Sequence, residues 1–260
     1  MQCIYENEPD ELKSLEILKN DLNFLVSFSA MPLDKQISPL ILASALGRSD
    51  AVKFLLSSPT IDLDLASEDS GLTPLAGACA AGNYEVLKLL LQKDAEVNKP
   101  SVNSRTPFVF CFQRLNEENM SYENKKICFK MVELLIESGA DLNWIVDKTK
   151  GYTLLMELCA TNFDSLSEKQ KQLRFEAIKF LVEKGANKEI MSLDNMTCFD
   201  LAKKSTCSEE LLEILNNTAS PPKEALARKK LQRIVRVHLD MQKLQKELDT
   251  ARISTYSGAS

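Results

Sequence analysis

The residues best equipped for chemistry in this 260-residue chain are seven cysteines and one histidine, and their spacing argues against a reaction centre. Cys3, Cys79, Cys111, Cys128, Cys159, Cys198 and Cys207 form no Cys-x-x-Cys pair, and His238 is far from any cysteine cluster. A tetrahedral metal site needs four such ligands at close spacing, so no metal is expected. An odd number of scattered cysteines suits free thiols in a reducing compartment. With a single histidine near the C-terminus, a Ser-His-Asp or Cys-His arrangement has no base to build on. The adjacent carboxylates Glu117-Glu118 and Glu209-Glu210 sit in polar stretches and read as solvated. Neither Gly-x-x-x-x-Gly-Lys-Ser/Thr nor Gly-x-Gly-x-x-Gly occurs, so no phosphate or dinucleotide cradle and no cofactor is expected. The expected function is therefore binding, not catalysis.

Charge narrows the partners. Residues 221–260 carry nine Lys/Arg and four Asp/Glu, a net +5; since the whole chain is −5, the other 220 residues carry −10. An acidic body does not suit nucleic acid, and the basic C-terminal stretch suits an acidic partner. No run approaches the ~18 apolar residues of a membrane span, and the acidic start Met1-Gln2-Cys3-Ile4-Tyr5-Glu6 is unlike a secretory signal. The expected compartment is the cytosol or the nucleus.

The element that must position any binding residue is clearest at Gly71–Asn98. Thr73-Pro74-Leu75 starts a helix with proline in its first turn, where the missing N–H costs nothing. Ala78, Cys79, Ala80 and Ala81 keep that helix slim, and Gly82 can end it in the left-handed conformation. Asn83 is the expected N-cap of a second helix, whose Val86, Leu87, Leu89, Leu90 and Leu91 make a stripe too wide for a surface helix. Asp94-Ala95-Glu96-Val97-Asn98 then turns the chain. The unit resembles an ankyrin repeat, with Thr73-Pro74-Leu75 matching the family's Thr-Pro-Leu-His start and Ala76 replacing its histidine. The resemblance implies an all-α solenoid of helix-turn-helix repeats with β-hairpin-like fingers, in which each unit is stable only against its neighbours.

Starts recur at Ser38, Thr73, Thr106, Thr153 and Thr197, separated by 35, 33, 47 and 44 residues. The expected organisation is a capping half-repeat over 1–33, with a helix over Asp10–Lys19, and a stack of about five repeats over 34–218. A linker over 219–222, a basic amphipathic helix over 223–253 and a tail over 254–260 complete the chain. The third and fourth repeats exceed the 33-residue period, and the excess falls between their two helices, over Leu115–Asn124 and Asn162–Gln172. Ser165-x-x-Glu168 reads as a capping box ahead of helical periodicity, so these insertions are expected to lengthen the second helices, the fourth beginning near Leu166. Lys203 and Lys204 should wet the outer face of the last repeat, a C-terminal cap.

By resemblance, residues just before each start and after the small pair face a protein or peptide on a concave surface. Here they are Leu72, Arg105, Tyr152 and Met196 on the fingers, and Ala80, Ala81, Gln113, Arg114, Ala160 and Thr161 on the first helices. Trp144 follows a finger turn. An exposed Trp, Tyr and Arg grouping has the composition of a binding hot spot, while a lone Trp beside an inserted helix also serves as a lid on the core.

The C-terminal stretch carries a second signal. Leu231, Gln232 and Arg236 resemble the IQ motif, a helix bound by calmodulin and its relatives; Val237 replaces its usual glycine and Met241 its second basic residue. Leu231, Val235 and Leu239 would share one face, with Leu244 beyond, and the neighbouring Lys/Arg would meet an acidic EF-hand protein. Two other readings stand beside it. Ile234, Val237, Met241, Leu244, Leu248 and Ala251 are spaced as a short coiled-coil or docking seam, and a basic amphipathic helix also suits a membrane surface.

Overall fold

A computed structural model describes residues 26–27, 36–115 and 120–218. The helix expected over Asp10–Lys19, the linker, the IQ-like helix (Leu231, Gln232, Val235, Arg236, Leu239, Leu244) and the tail lie outside the described residues.

Strand β1 (Val26–Ser27) pairs antiparallel with β2 (Gln36–Ile37). Helix pairs follow: α1 (Pro39–Ala45) and α2 (Ser49–Leu55), α3 (Pro74–Ala81) and α4 (Tyr84–Gln92), α5 (Pro107–Leu115) and α6 (Tyr122–Glu137). A hairpin of β3 (Ile145–Asp147) and β4 (Tyr152–Thr153) leads into α7 (Leu154–Cys159) and α8 (Glu168–Lys184), and α9 (Cys198–Lys203) and α10 (Ser208–Asn217) close the series. The fold is the expected all-α solenoid. Odd-numbered helices pack as α1 on α3, α3 on α5 and α7 on α9, and even-numbered ones as α2 on α4, α4 on α6 and α8 on α10.

The start residues work as caps. The hydroxyls of Ser38, Thr73, Thr153 and Thr197 accept the backbone N–H of Ile41, Ala76, Met156 and Asp200, supplying partners to otherwise orphaned helix donors. Asp200 closes the last cap in return, and the N–H and hydroxyl of Thr197 on its carboxylate hold that acid below the usual range. Thr106 is the exception, buried with its hydroxyl unpaired among the described residues.

Slim first helices pack closely, as the small residues imply. A Cβ added to Gly77 would stand 3.7 Å from the Ile41 carbonyl, so α1 and α3 nearly touch backbone to backbone. The second helices supply the bulk, with Val52, Leu55, Leu87, Leu90, Val132, Leu135, Leu181 and Leu211 all buried.

Fingers are joined by a repeating side-chain rung. Asp64, Asn98 and Asn143 each accept the N–H of a residue one repeat on, Glu96, Asp141 and Asn187, at 2.8, 2.8 and 2.7 Å. The acid in the first rung is at a disadvantage. Half-burial raises the Asp64 pKa, and Glu96 and Asp62 add to the rise against the N–H bond and Lys99. A carboxyl whose folded pKa exceeds its unfolded value binds more protons in the native state, so its contribution to stability falls as pH rises through that window. Asp64→Asn, which installs the amide found in the next two rungs, should raise the thermal midpoint at pH 7. It should also flatten the decline in stability above pH 4, as checked by thermal melts from pH 4 to 7.

Three local expectations need correction. Asn83 occupies the N-cap position of α4 but makes no cap bond; its amide donates to the Ser44 and Ala45 carbonyls at 2.8 and 3.0 Å, closing the end of α1 in the preceding repeat. The capping box of α8 is Ser167 with Gln170, two residues after the expected Ser165 with Glu168. Buried Phe163 stacks on Phe175 and draws Phe163–Ser165 into a 3-10 turn, which delays the helix. The lengthening itself holds: α6 and α8 have 16 and 17 residues against nine in α4. Tyr152 is 7% exposed, so it belongs to the core and not to an exposed grouping.

Candidate functional site

The two longest repeats meet differently from the others. Six residues after each start, the first two repeats have Ser44 and Cys79, while the third has Phe112. Phe112 is buried, stacks on Phe108 at 5.7 Å between ring centres and tilts against Phe180 of α8 at 6.4 Å. That ring takes the space through which slim helices would touch, and α5 and α7 approach less closely than the other neighbouring first helices. The junction is held by side chains: Lys184 of α8 meets Glu133 of α6 at 3.1 Å, and the Trp144 indole donates to the Ser104 carbonyl at 2.9 Å. At the flanking junctions a backbone N–H does that work, Val102 to the Ser70 carbonyl and Leu193 to the Lys150 carbonyl.

What the wedge leaves open is a groove. A cavity of about 430 Å³ lies between α5, α7 and α8, with Phe112, Leu154, Leu158, Leu166 and Leu173 as its apolar lining and Arg174 at its edge. A second, about 410 Å³, lies nearer the fingers, beside Arg105, Val109, Val146, Asp147 and Lys148. Both are bordered by Gln113 and Glu157, which face them from α5 and α7. Thr149 donates to Asp147 through its hydroxyl, and with backbone N–H bonds this holds the acid ionised below the usual range.

The residues expected to face a partner divide. Arg105 and Gln113 are exposed on this groove, and Ala80 and Ala160 are exposed on their helices. Arg114 is half-buried and donates to the Ala80 carbonyl, closing α3 as Asn83 closes α1. Trp144, half-buried and bonded to Ser104, ties two fingers together. Leu72 and Met196 are half-buried against the core. Sequence reasoning missed the apolar finger tips: Val102, Ile145, Met191 and Leu193 are 67%, 44%, 64% and 69% exposed, whereas the chosen Leu72, Trp144, Tyr152 and Met196 are half-buried or buried. For Val102 and Leu193 the signal was an apolar residue between polar turn residues, Ser101 and Asn103 or Ser192 and Asp194.

Among the described residues, Cys79, Cys111, Cys128, Cys159 and Cys198 are buried packing residues. The Cys79 and Cys111 thiols contact one another across α3 and α5, as do Cys159 and Cys198 across α7 and α9. Burial first, then Cys111, pushes the Cys79 thiol up; contact with Cys198, then burial, does the same for Cys159. Thiols so held are protonated and unreactive at neutral pH. Among the described residues no group of three His, Cys, Asp or Glu could hold a metal, and no helix is long and apolar enough to cross a membrane.

Comparison with known proteins agrees with this architecture. Residues 1–101 match the family described as Ankyrin repeats, in three copies. The chain carries ankyrin repeats. It is 28% identical over 212 residues to the Ankyrin repeat and KH domain-containing protein mask-1 of Caenorhabditis elegans, covering 72% of this chain and 7% of that protein. It is 25% identical over 146 residues to the human Ankyrin repeat and SOCS box protein 16, covering 55% of this chain and 29% of that one. It is 36% identical over 76 residues to the Zinc finger CCCH domain-containing protein 56 of Arabidopsis thaliana, covering 28% and 11%. The chain thus spans less than a third of the length of each of these relatives. Ankyrin repeats indicate a protein-protein interaction module.

Proposed function

We propose that the ankyrin stack is an adaptor or scaffold that binds a linear protein segment on its concave side, in the groove between its third and fourth repeats. The observation that carries this reading is the pair of cavities joined at Gln113 and Glu157. An apolar lining of buried Leu154, Leu158 and Phe112 with half-buried Leu166 and Leu173 offers a preformed anchor site, and ordering losses are small where the receptor is already shaped. Gln113, with an amide donor and acceptor, suits a backbone peptide group; Arg105, Asp147 and Glu157 suit polar side chains on either side. Peptides selected from a displayed random library on the full chain should lose at least tenfold in affinity with the exposed pair Gln113→Arg and Glu157→Arg. Tyr122→Ala, on the exposed start of α6, should leave binding unchanged. Equal affinity for the groove variant and the native chain would place the binding elsewhere.

A second reading, in which calmodulin or a similar EF-hand protein acts through Leu231–Leu244, is favoured by the Leu231-Gln232-x-x-x-Arg236 match and the +5 charge of residues 221–260. Apolar anchors should decide the affinity, so Leu231→Ala with Leu239→Ala should weaken calmodulin binding more than Lys229→Ala with Lys230→Ala. Calorimetry of the full chain that detects no calmodulin binding, with or without calcium, removes this reading.

A further inference from the structure

Helix α7 borders a third cavity on its other side. It measures about 360 Å³ and lies between the fourth and fifth repeats, over a floor of Tyr152, Cys159, Phe163 and Leu201, all buried. Its rim carries the ammonium groups of Lys150 and Lys204, with Asn162, Ser205 and Thr206 supplying an amide and hydroxyls, while the Thr161 hydroxyl at its border donates to the Glu157 carbonyl. None of its described lining residues is acidic. In a body that carries −10 over its first 220 residues, a pocket with two cations and no carboxylate is an exception.

The two lysines are weakly engaged. Lys150 Nζ makes only a long ion pair, 3.9 Å from Asp147 Oδ2, while Thr149 binds the other oxygen, Oδ1, and it stands 5.5 Å over the Tyr152 ring. Lys204 Nζ meets the Met196 thioether sulfur at 3.0 Å, a poor acceptor for an ammonium. Asp200, the carboxylate nearest in sequence to Lys204, is bound by the N–H and hydroxyl of Thr197.

Resting on the groove reading above, we propose that this pocket receives an anionic side chain, carboxylate or phosphoryl, of the same linear segment whose apolar side chain enters the groove. The two sites are adjacent, since Thr161 borders both the groove and the pocket. Between them runs α7, with exposed Glu157 and Ala160 on its crest. A helix with its side chains is roughly 10 Å across, and an extended chain advances about 3.3 Å per residue. The partner therefore carries its apolar anchor and its anion about three residues apart in extended conformation. Charge-assisted bonds from two ammonium groups in a pocket with a dry floor discriminate an acid from its amide more sharply than a surface pair would.

The test uses the full chain and a displayed library of random 12-residue peptides, with enriched sequences resynthesised and measured by fluorescence anisotropy. Enriched peptides should carry an apolar residue about three positions from Asp or Glu. Changing that acid to its amide should weaken binding at least tenfold on the native chain, and by less than twofold on Lys150→Met with Lys204→Met. Both lysines are exposed, and an unchanged thermal midpoint of that variant keeps the comparison interpretable. Phosphoserine in place of the acid distinguishes the two sources: tighter binding assigns a phosphorylated partner, weaker binding an Asp or Glu. Peptides that need the groove yet bind equally with acid, amide or phosphoserine overturn the pocket alone. Peptides indifferent to Gln113→Arg with Glu157→Arg, or a library without binders, overturn the groove reading and the pocket with it.

Discussion

Leu90→Ala should lower the stability of the ankyrin stack by roughly 2–5 kcal/mol, the range for deleting a buried leucine whose surroundings cannot collapse. Leu90 has no exposed surface and lies on α4, which is packed between α2 and α6. Its carbonyl also accepts the Ala95 N–H at the turn out of the helix, so the backbone there is fixed from both sides and has little room to relax. Each repeat touches its neighbours and little else, so a cavity in the second repeat weakens two interfaces at once. Denaturant unfolding followed by circular dichroism measures the loss. A midpoint unchanged within error would mean that α4 is not the buried helix of its repeat. Leu72→Ala removes as many atoms from a half-buried finger position and should cost far less.

Much of this architecture could be read from local chemistry. The Ser/Thr starts are caps because a hydroxyl reaches the N–H three residues on whatever lies elsewhere, and Gly82 adopts φ 78° because a slim helix followed at once by another needs a left-handed residue between them. What the residues could not reveal locally were contacts made one repeat away. Asn83 looks like an N-cap in its own repeat, yet its amide partners are 38 and 39 residues earlier. Arg114 looks like a free cation after the small pair, yet it donates to a carbonyl 34 residues back. Tyr152 stands at a position read as exposed, and its burial follows from its place in β4, paired with β3 just before α7. The groove was hidden for another reason: Phe112 counts as one more apolar residue in a pattern, and its volume matters only where a small side chain would have let two helices meet.

Phe112→Ala should accordingly be the most damaging substitution at the candidate site, costing about 3–5 kcal/mol as a buried phenylalanine truncated to alanine. Its ring is 1% exposed and bridges Phe108 on its own helix to Phe180 on α8, which in turn takes the edge of Phe129 from α6 at 5.1 Å. Removing it leaves the Phe129–Phe180 edge contact, Lys184 with Glu133, Trp144 with Ser104 and the Asn143–Asn187 rung to join the third and fourth repeats, and the polar contacts among these contribute about 1 kcal/mol each. The loss should therefore be uneven along the stack. Amides in α7 and α8 should exchange hydrogen faster by a larger factor than those in α1 to α4, because the solenoid divides at its weakest interface. Hydrogen exchange on the variant, resolved by peptide, separates this from a general loss of stability. Uniform acceleration across all repeats would mean that the third and fourth pack as firmly as the rest. Phe112→Leu, which keeps most of the volume, should recover most of the lost stability while widening the apolar end of the groove. A peptide bound there should then gain or lose affinity according to the size of its anchor, with the stack itself intact.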